Sequence, residues 1–139
     1  MINLFSWDDA LATGFEDVDL QHKKLLLIIE DVRGLLDETG KDYELRLAKD
    51  LKRLTDYTAY HFAEEETLMD RYGYPDLDQH RKEHAAFVER VRAEIASIGE
   101  AKAGQGFQFY RFLGTWLLNH IAKSDQAWAA YIRERTARD

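Results

Sequence analysis

Residues 47–72 read LAKDLKRLTDYTAYHFAEEETLMDRY, and one set of positions in this stretch, Leu47, Leu51, Leu54, Thr58, His61, Glu65, Leu68 and Tyr72, recurs in alternating steps of four and three. That spacing traces a single face of an α-helix. Leucines dominate the face, yet it also carries a histidine and a glutamate four residues apart, which on a helix point from one side toward one place. Upstream the same alternation links Val18, His22, Leu25, Ile29, Val32 and Leu36. Downstream it links Leu77, His80, His84, Phe87, Val91, Ile95 and Ile98. The last segment starts Phe109, Leu113, Trp116, His120, slips by one residue, and continues Ile121, Asp125, Trp128, Ile132. Glycine and proline fall only between these segments or outside their seams, at Gly14, Gly40, Gly73-Tyr74-Pro75-Asp76, Gly99 and Gly104-Gln105-Gly106 among others. Four amphipathic segments with short connections pack most simply as antiparallel neighbours. The pattern predicts an all-α, up-down-up-down four-helix bundle: one domain over 1–139, helices at about 18–38, 42–72, 77–103 and 107–136, and a non-helical N-terminal arm over 1–17 held by Phe5, Trp7 and Phe15.

Composition narrows the partners. With 45% hydrophobic and 32% charged residues and one proline, the chain has the make-up of a folded globular domain. A net charge of −7 and no basic stripe argue against nucleic acid or an anionic membrane as a partner. The run of arginines from Arg133 to Arg138 reads as the cationic end of a last helix. The longest wholly apolar run, Leu25 to Ile29, is far too short to cross a bilayer, and Met1 to Asp9 lacks the basic start of a secretory signal. Cytoplasmic residence is the expectation. The absence of cysteine removes disulfides, iron–sulfur clusters and thiolate zinc sites, so any metal must be held by nitrogen and oxygen.

All five histidines, His22, His61, His80, His84 and His120, lie on the apolar seams. If about three positions in seven of a core-facing helix point inward, a random placement would do this about once or twice in a hundred. Any one of them alone reads as a satisfied core histidine. Five imidazoles buried together with Glu65 and Asp125 and left without partners would cost several kcal/mol, which a metal cluster compensates directly. His61 with Glu65, and His80 with His84, can chelate at i,i+4 spacing. His120 and Asp125 are five residues apart, about 140° around an ideal helix, so the phase slip between them predicts a π-type bulge that returns Asp125 to the seam. Seven side chains exceed the needs of one structural metal, and imidazole with carboxylate suits iron, manganese or zinc. If both carboxylates bridge two metals and a single oxygen is shared, the donors fall one short of two octahedra. The odd histidine puts that vacancy on the metal with two imidazoles.

These motifs resemble the hemerythrin family, in particular its bacterial single-domain members. The likeness rests on Val18-Asp19-Leu20-Gln21-His22, His61-Phe62-Ala63-Glu64-Glu65, Tyr74-Pro75 followed by His80 and His84, and Trp116-Leu117-Leu118-Asn119-His120-Ile121 followed by Asp125. The resemblance implies a non-haem centre of two iron ions (Fe2+/Fe3+) joined by an oxo or hydroxo group. His80, His84 and His120 would hold one iron, His22 and His61 the other, and Glu65 and Asp125 would bridge. It implies reversible dioxygen binding at the open position for storage, delivery or buffering, with an oxygen-consuming enzyme as a recipient, and no catalytic residues. It also implies an oxygen pocket lined by Leu25, Phe62, Trp116, Leu117 and Ile121.

Two ferrous ions, a hydroxide and two carboxylates sum to a single positive charge, tolerable in an apolar bundle. The four-carboxylate pattern of ferritin-like oxygenases favours higher iron oxidation states, whereas this histidine-rich set favours stopping at bound oxygen. Alternative readings are a free-standing oxygen or redox sensor, a di-iron peroxide or nitric oxide reductase, and iron storage. Steady turnover would mark the reductase and loading beyond two irons the store.

Overall fold

The computed structural model describes residues 5–35, 43–97 and 105–137. Four long rods are found among the described residues, with α1 over Glu16–Leu35, α2 over Tyr43–Arg71 and α3 over Leu77–Ala96. The fourth rod is composite: α4, Gln105–His120, runs into a π-helical segment, Ile121–Asp125, and then into α5, Gln126–Ala137. His120 and Gln126 both keep right-handed helical backbone angles, so the rod continues through the segment without a break. α1 packs along α2 and α4, and α2 along α3, in an up-down-up-down four-helix bundle; no strand occurs among the described residues. None of their helices is long and apolar enough to cross a membrane.

The α2–α3 connection shows why the chain turns where it does. Gly73 takes φ +66, the Tyr74 amide donates back to Met69 O at 3.0 Å and the Gly73 amide to Asp70 O at 3.1 Å. This paired closure satisfies carbonyls a helix end leaves open, and Pro75 then prevents continuation.

Several helix boundaries differ from those the sequence predicts. α1 begins at Glu16, not residue 18, because the Phe15 carbonyl already accepts from Asp19 N and three acids, Glu16, Asp17 and Asp19, favour the positive end of the helix. α3 ends at Ala96, short of the expected limit, where the Ser97 hydroxyl and amide both turn back onto Glu94 O and close the last turn. The fourth rod starts at Gln105 and reaches Ala137, slightly longer than expected. Leu36, Ile98 and the expected extensions over 36–38 and 98–103 lie outside the described residues.

The arm includes a short 3-10 turn at Asp9–Leu11, begun by the Asp8 carboxylate accepting from Ala10 N. It is tied down at several points. Gln126 Nε2 donates to Leu11 O (2.9 Å) and Ala12 O (3.2 Å), and Arg133 donates to Thr13 O. Arg133 thus clamps the arm, a role its place in the arginine run did not suggest. The Thr13 amide and hydroxyl both donate to Asp19 Oδ1 at 2.8 Å across Gly14, whose φ of +90 favours glycine. Phe5 meets Tyr110 edge-on with ring centres 5.1 Å apart, and Phe15 lies 5.4 Å from Trp128.

The buried apolar side chains form two clusters. The larger contains Leu25, Ile29, Leu51, Leu54, Phe62, Phe87, Leu113 and Ile121; the smaller contains Val18, Met69, Leu77, Trp128, Ala129 and Ile132. On every rod a histidine or carboxylate falls between residues of the two: His22 between Val18 and Leu25, Glu65 between Phe62 and Met69, His80 and His84 between Leu77 and Phe87, and Asp125 between Ile121 and Trp128. The polar residues therefore form a layer crossing the bundle. Leu68, Tyr72, Ile95 and Trp116, predicted on the seams, sit half-buried at their margins.

Phe5 fills the space left by the missing side chain of Gly114, where a Cβ would collide with its ring. Gly114→Ala should favour α4 itself by about 1 kcal/mol while expelling Phe5. Limited proteolysis should then cut within residues 5–15 faster, with helical content unchanged. A cleavage rate equal to that of the parent protein would refute the Phe5 anchor.

Candidate metal centre

The four rods bring all seven predicted residues into the polar layer, every one of them buried. His22 comes from α1, His61 and Glu65 from α2, His80 and His84 from α3, His120 from the end of α4, and Asp125 from the π segment. The extra residue of that segment's wider turn rotates Asp125 inward, to zero exposure.

The histidines divide into two groups. Nε2 of His84 and Nε2 of His120 stand 3.1 Å apart, and Nε2 of His120 lies 3.2 Å from Nε2 of His80. Across the layer the rings of His22 and His61 meet edge to face with centres 4.6 Å apart. Each carboxylate offers one oxygen to each group. Glu65 Oε1 faces His84 (3.3 Å) and His80 (3.9 Å), while its Oε2 faces His22 (3.2 Å) and His61 (3.4 Å). Asp125 Oδ1 faces His80 (3.1 Å) and His120 (3.3 Å), while its Oδ2 faces His22 (3.1 Å). One end thus gathers three imidazoles and two carboxylate oxygens, and the other two imidazoles and two oxygens. Ligating atoms of Glu65, His80, His84, His120 and Asp125 all lie within 4.8 Å of one another, as do those of His22, His61 and Glu65.

The outer ring nitrogens determine which tautomer faces inward. His61 Nδ1–H donates to Gln21 Oε1 at 2.7 Å, His84 Nδ1–H to Glu66 Oε2 at 2.9 Å, and His120 Nδ1–H to Glu83 Oε2 at 3.1 Å. With the proton on Nδ1, a neutral ring turns the Nε2 lone pair toward the centre, the form in which histidine binds metal. Glu83 is itself steadied by Ser124 Oγ–H at 2.8 Å, and Asp125 Oδ1 by Trp128 Nε1–H at 3.0 Å.

Lone pairs on three converging nitrogens repel unless a cation sits among them. Imidazole nitrogens sharing one transition metal through bonds of about 2.1 Å stand about 3.0 Å apart at right angles and about 3.4 Å apart at tetrahedral angles. The observed 3.1 and 3.2 Å fall within that interval. Glu65 Oε1 and Asp125 Oδ2 are buried beside imidazole nitrogens without making a hydrogen bond, which suits oxygens that coordinate a cation. The donor set, all nitrogen and oxygen, fits iron.

Without a bound cation the same donors would attract protons. Burial opposes charge on His22, but Asp125 and Glu65 outweigh it and lift its pKa to about 9. His80 is lifted to about 9 by the same two carboxylates against the same penalty. Burial pushes Glu65 up, yet the imidazoles of His61, His22 and His80 hold it well below the usual carboxylate range. Asp125 is held down likewise by His120, His22 and His80, against burial and the neighbouring Glu65.

Of the residues expected to line an oxygen pocket, Leu25, Phe62, Leu117 and Ile121 belong to the larger apolar cluster, and Trp116 packs against it from a half-buried position. Phe62 stacks flat on His84 at 3.6 Å between ring centres, and Trp116 on His120 at 4.6 Å. The sequence reading assigned no role to Gln21, Glu66, Glu83, Ser124 or the Trp128 indole N–H. Glu66 and Glu83 reach across from neighbouring helices, so no spacing within one helix could have marked them.

Residues 13–132 match the family model described as the hemerythrin HHE cation binding domain. The bacteriohemerythrin of Pseudomonas aeruginosa (strain PAO1) is 37% identical over 128 residues, which is 91% of this chain and 80% of the relative. That of Stenotrophomonas maltophilia is 33% identical over 130 residues, 94% of this chain and 82% of the relative. A crystal structure of wild-type hemerythrin superposes with a TM-score of 0.80 at 32% identity, covering 91% of this chain and 96% of that one. Matched in sequence along nearly its whole length and in the course of its four rods, the chain belongs to the hemerythrin family.

Proposed function

We propose that this protein binds dioxygen reversibly at a di-iron centre, with His80, His84 and His120 on one iron, His22 and His61 on the other, and Glu65 and Asp125 bridging. The observation that carries the reading is the division of donors: each carboxylate turns one oxygen to each end, and the ends differ by one imidazole. An iron pair, when bound, supplies two electrons that can be exchanged reversibly with oxygen, at the end with fewer protein donors.

The remainder is the work of the chain's own side chains. Gln21, Glu66 and Glu83 hold the Nδ1 protons of His61, His84 and His120, which keeps each ring oriented with its lone pair inward. Trp128 keeps Asp125 turned toward the centre. Leu25, Phe62, Trp116, Leu117 and Ile121 would form the apolar wall of the oxygen pocket, limiting the water and protons that promote irreversible oxidation. Storage, delivery or local buffering of oxygen, for an oxygen-consuming enzyme, follows from this chemistry. A sensor is the second reading, favoured by Gln126, which adjoins Asp125 and donates to Leu11 O and Ala12 O in the arm.

Reversibility is tested by reducing the iron-loaded protein without air, admitting oxygen, and following the visible ligand-to-iron charge-transfer band through cycles of inert-gas purging. The band should vanish and return; permanent loss with iron still bound would sink the carrier reading. Glu65→Ala removes an oxygen from both ends and should drop iron content below one per chain. Retention of two irons with a reversible band would refute its bridging role.

Protons compete with metal for the same nitrogens. His22 and His80, with pKa values near 9 in the metal-free fold, both hold protons at pH 7. A pKa raised above the ordinary 6.5 stabilises the fold fully below that pH, and the benefit disappears as pH rises through about 9. Thermal unfolding of metal-free protein should therefore move to lower temperature between about pH 6.5 and 9, and Co2+ binding at pH 7 should release protons. A flat profile together with no proton release would contradict this protonation state.

A further inference from the structure

The two ends of the centre differ in what stands behind their histidines. Behind the three-histidine end are two carboxylates: Glu66 Oε2, 2.9 Å from His84 Nδ1, and Glu83 Oε2, 3.1 Å from His120 Nδ1. Behind the two-histidine end is the neutral amide of Gln21, 2.7 Å from His61 Nδ1, while the buried Nδ1 of His22 has no hydrogen-bond partner among the described residues. We propose that Glu66 and Glu83 make the three-histidine end the tighter site and the first to take up a divalent metal ion, the two-histidine end filling second.

The inference rests on the metal-centre reading above and adds to it an order of loading. An anion accepting the Nδ1 proton increases the electron-donating power of Nε2 on the same ring, and such outer partners typically contribute 10- to 100-fold to metal affinity. Gln21 orients His61 as well as a carboxylate would, but adds no charge. Glu66 and Glu83 are only 24% and 34% exposed, so water screens them incompletely. Arg81 Nε, 3.3 Å from Glu66 Oε1, offsets part of one charge, but the arginine is half exposed and approaches the oxygen turned away from His84. Ser124 holds Glu83 without neutralising it. The three-histidine end also has one more imidazole. Ligand number and outer charge therefore favour the same end, and the weaker site is the one with a position left for an exogenous ligand.

Anaerobic titration of the metal-free protein with Co2+ against a competing chelator should show two steps, the first at least about tenfold tighter. At one equivalent, proton NMR should show the Nδ1–H signals of His84 and His120 shifted far downfield by the paramagnetic ion, and that of His61 only at the second equivalent. Glu66→Gln and Glu83→Gln, which keep the size and an acceptor oxygen but remove the charge, should each weaken the first step about 10- to 100-fold. Gln21→Leu should weaken the second alone, and Glu64→Gln, an exposed carboxylate on the same helix as Glu66, should change neither. Circular dichroism of the metal-free variants confirms that each is folded. If both glutamine variants leave the first step unchanged, or His61 shifts first, the proposed order is overturned while the metal centre stands. Wild-type protein that takes up no Co2+ would instead overturn the reading beneath it.

Discussion

The structure turns on the cost of burying polarity. Five imidazoles and two carboxylates lie sealed between two apolar clusters, each one cut off from the water that would otherwise solvate it. Two carboxylate oxygens in that layer make no hydrogen bond, and three ring nitrogens face one another at close range. Such an arrangement is tolerable only if cations occupy it, whether protons drawn onto His22 and His80 or metal ions in their place. In the rest of the molecule the apolar layers exclude water from both sides, and the outer polar groups on α1, α2 and α3 hold the rings in position.

The π segment reconciles two incompatible periods. A regular helix that directed His120 inward would direct Asp125 well off the core face. One extra residue in the turn corrects the phase, so the same rod supplies an imidazole to one end and a carboxylate that faces both ends. It also passes directly into Gln126, whose side chain grips the arm at Leu11 and Ala12. A displacement of Asp125 thus has a short covalent and hydrogen-bonded path to residues 11 and 12, with the Arg133–Thr13 contact about two helical turns further along.

Outside the inner donors, the histidines are treated unequally. Charged partners stand behind the three-histidine end and a neutral one behind the two-histidine end, so the electrostatic character of the centre is graded across the bundle. Aromatic stacking follows the same side, with Phe62 flat on His84 and Trp116 on His120. The two rings with charged outer partners are thus also the two that lie flat on aromatic faces.

Much of this was legible in the linear sequence because a helix converts spacing into direction. The alternation of four and three residues located the rods, the positions of the histidines on those seams located the polar layer, and the five-residue interval from His120 to Asp125 required a bulge. Local spacing carries no information about partners on other helices. The pairing of His84 with Glu66, His120 with Glu83 and His61 with Gln21 depends on the rotation and axial offset of one rod against the next. So does the presentation of one Glu65 oxygen to each end. The arm is a similar case: Phe5 lodges against Gly114 and Arg133 on Thr13 only once α4 and α5 have docked. Sequence determined which side chains face inward, since that is fixed by the backbone of each helix; tertiary packing decided which atoms meet, since that depends on distances between separate helices.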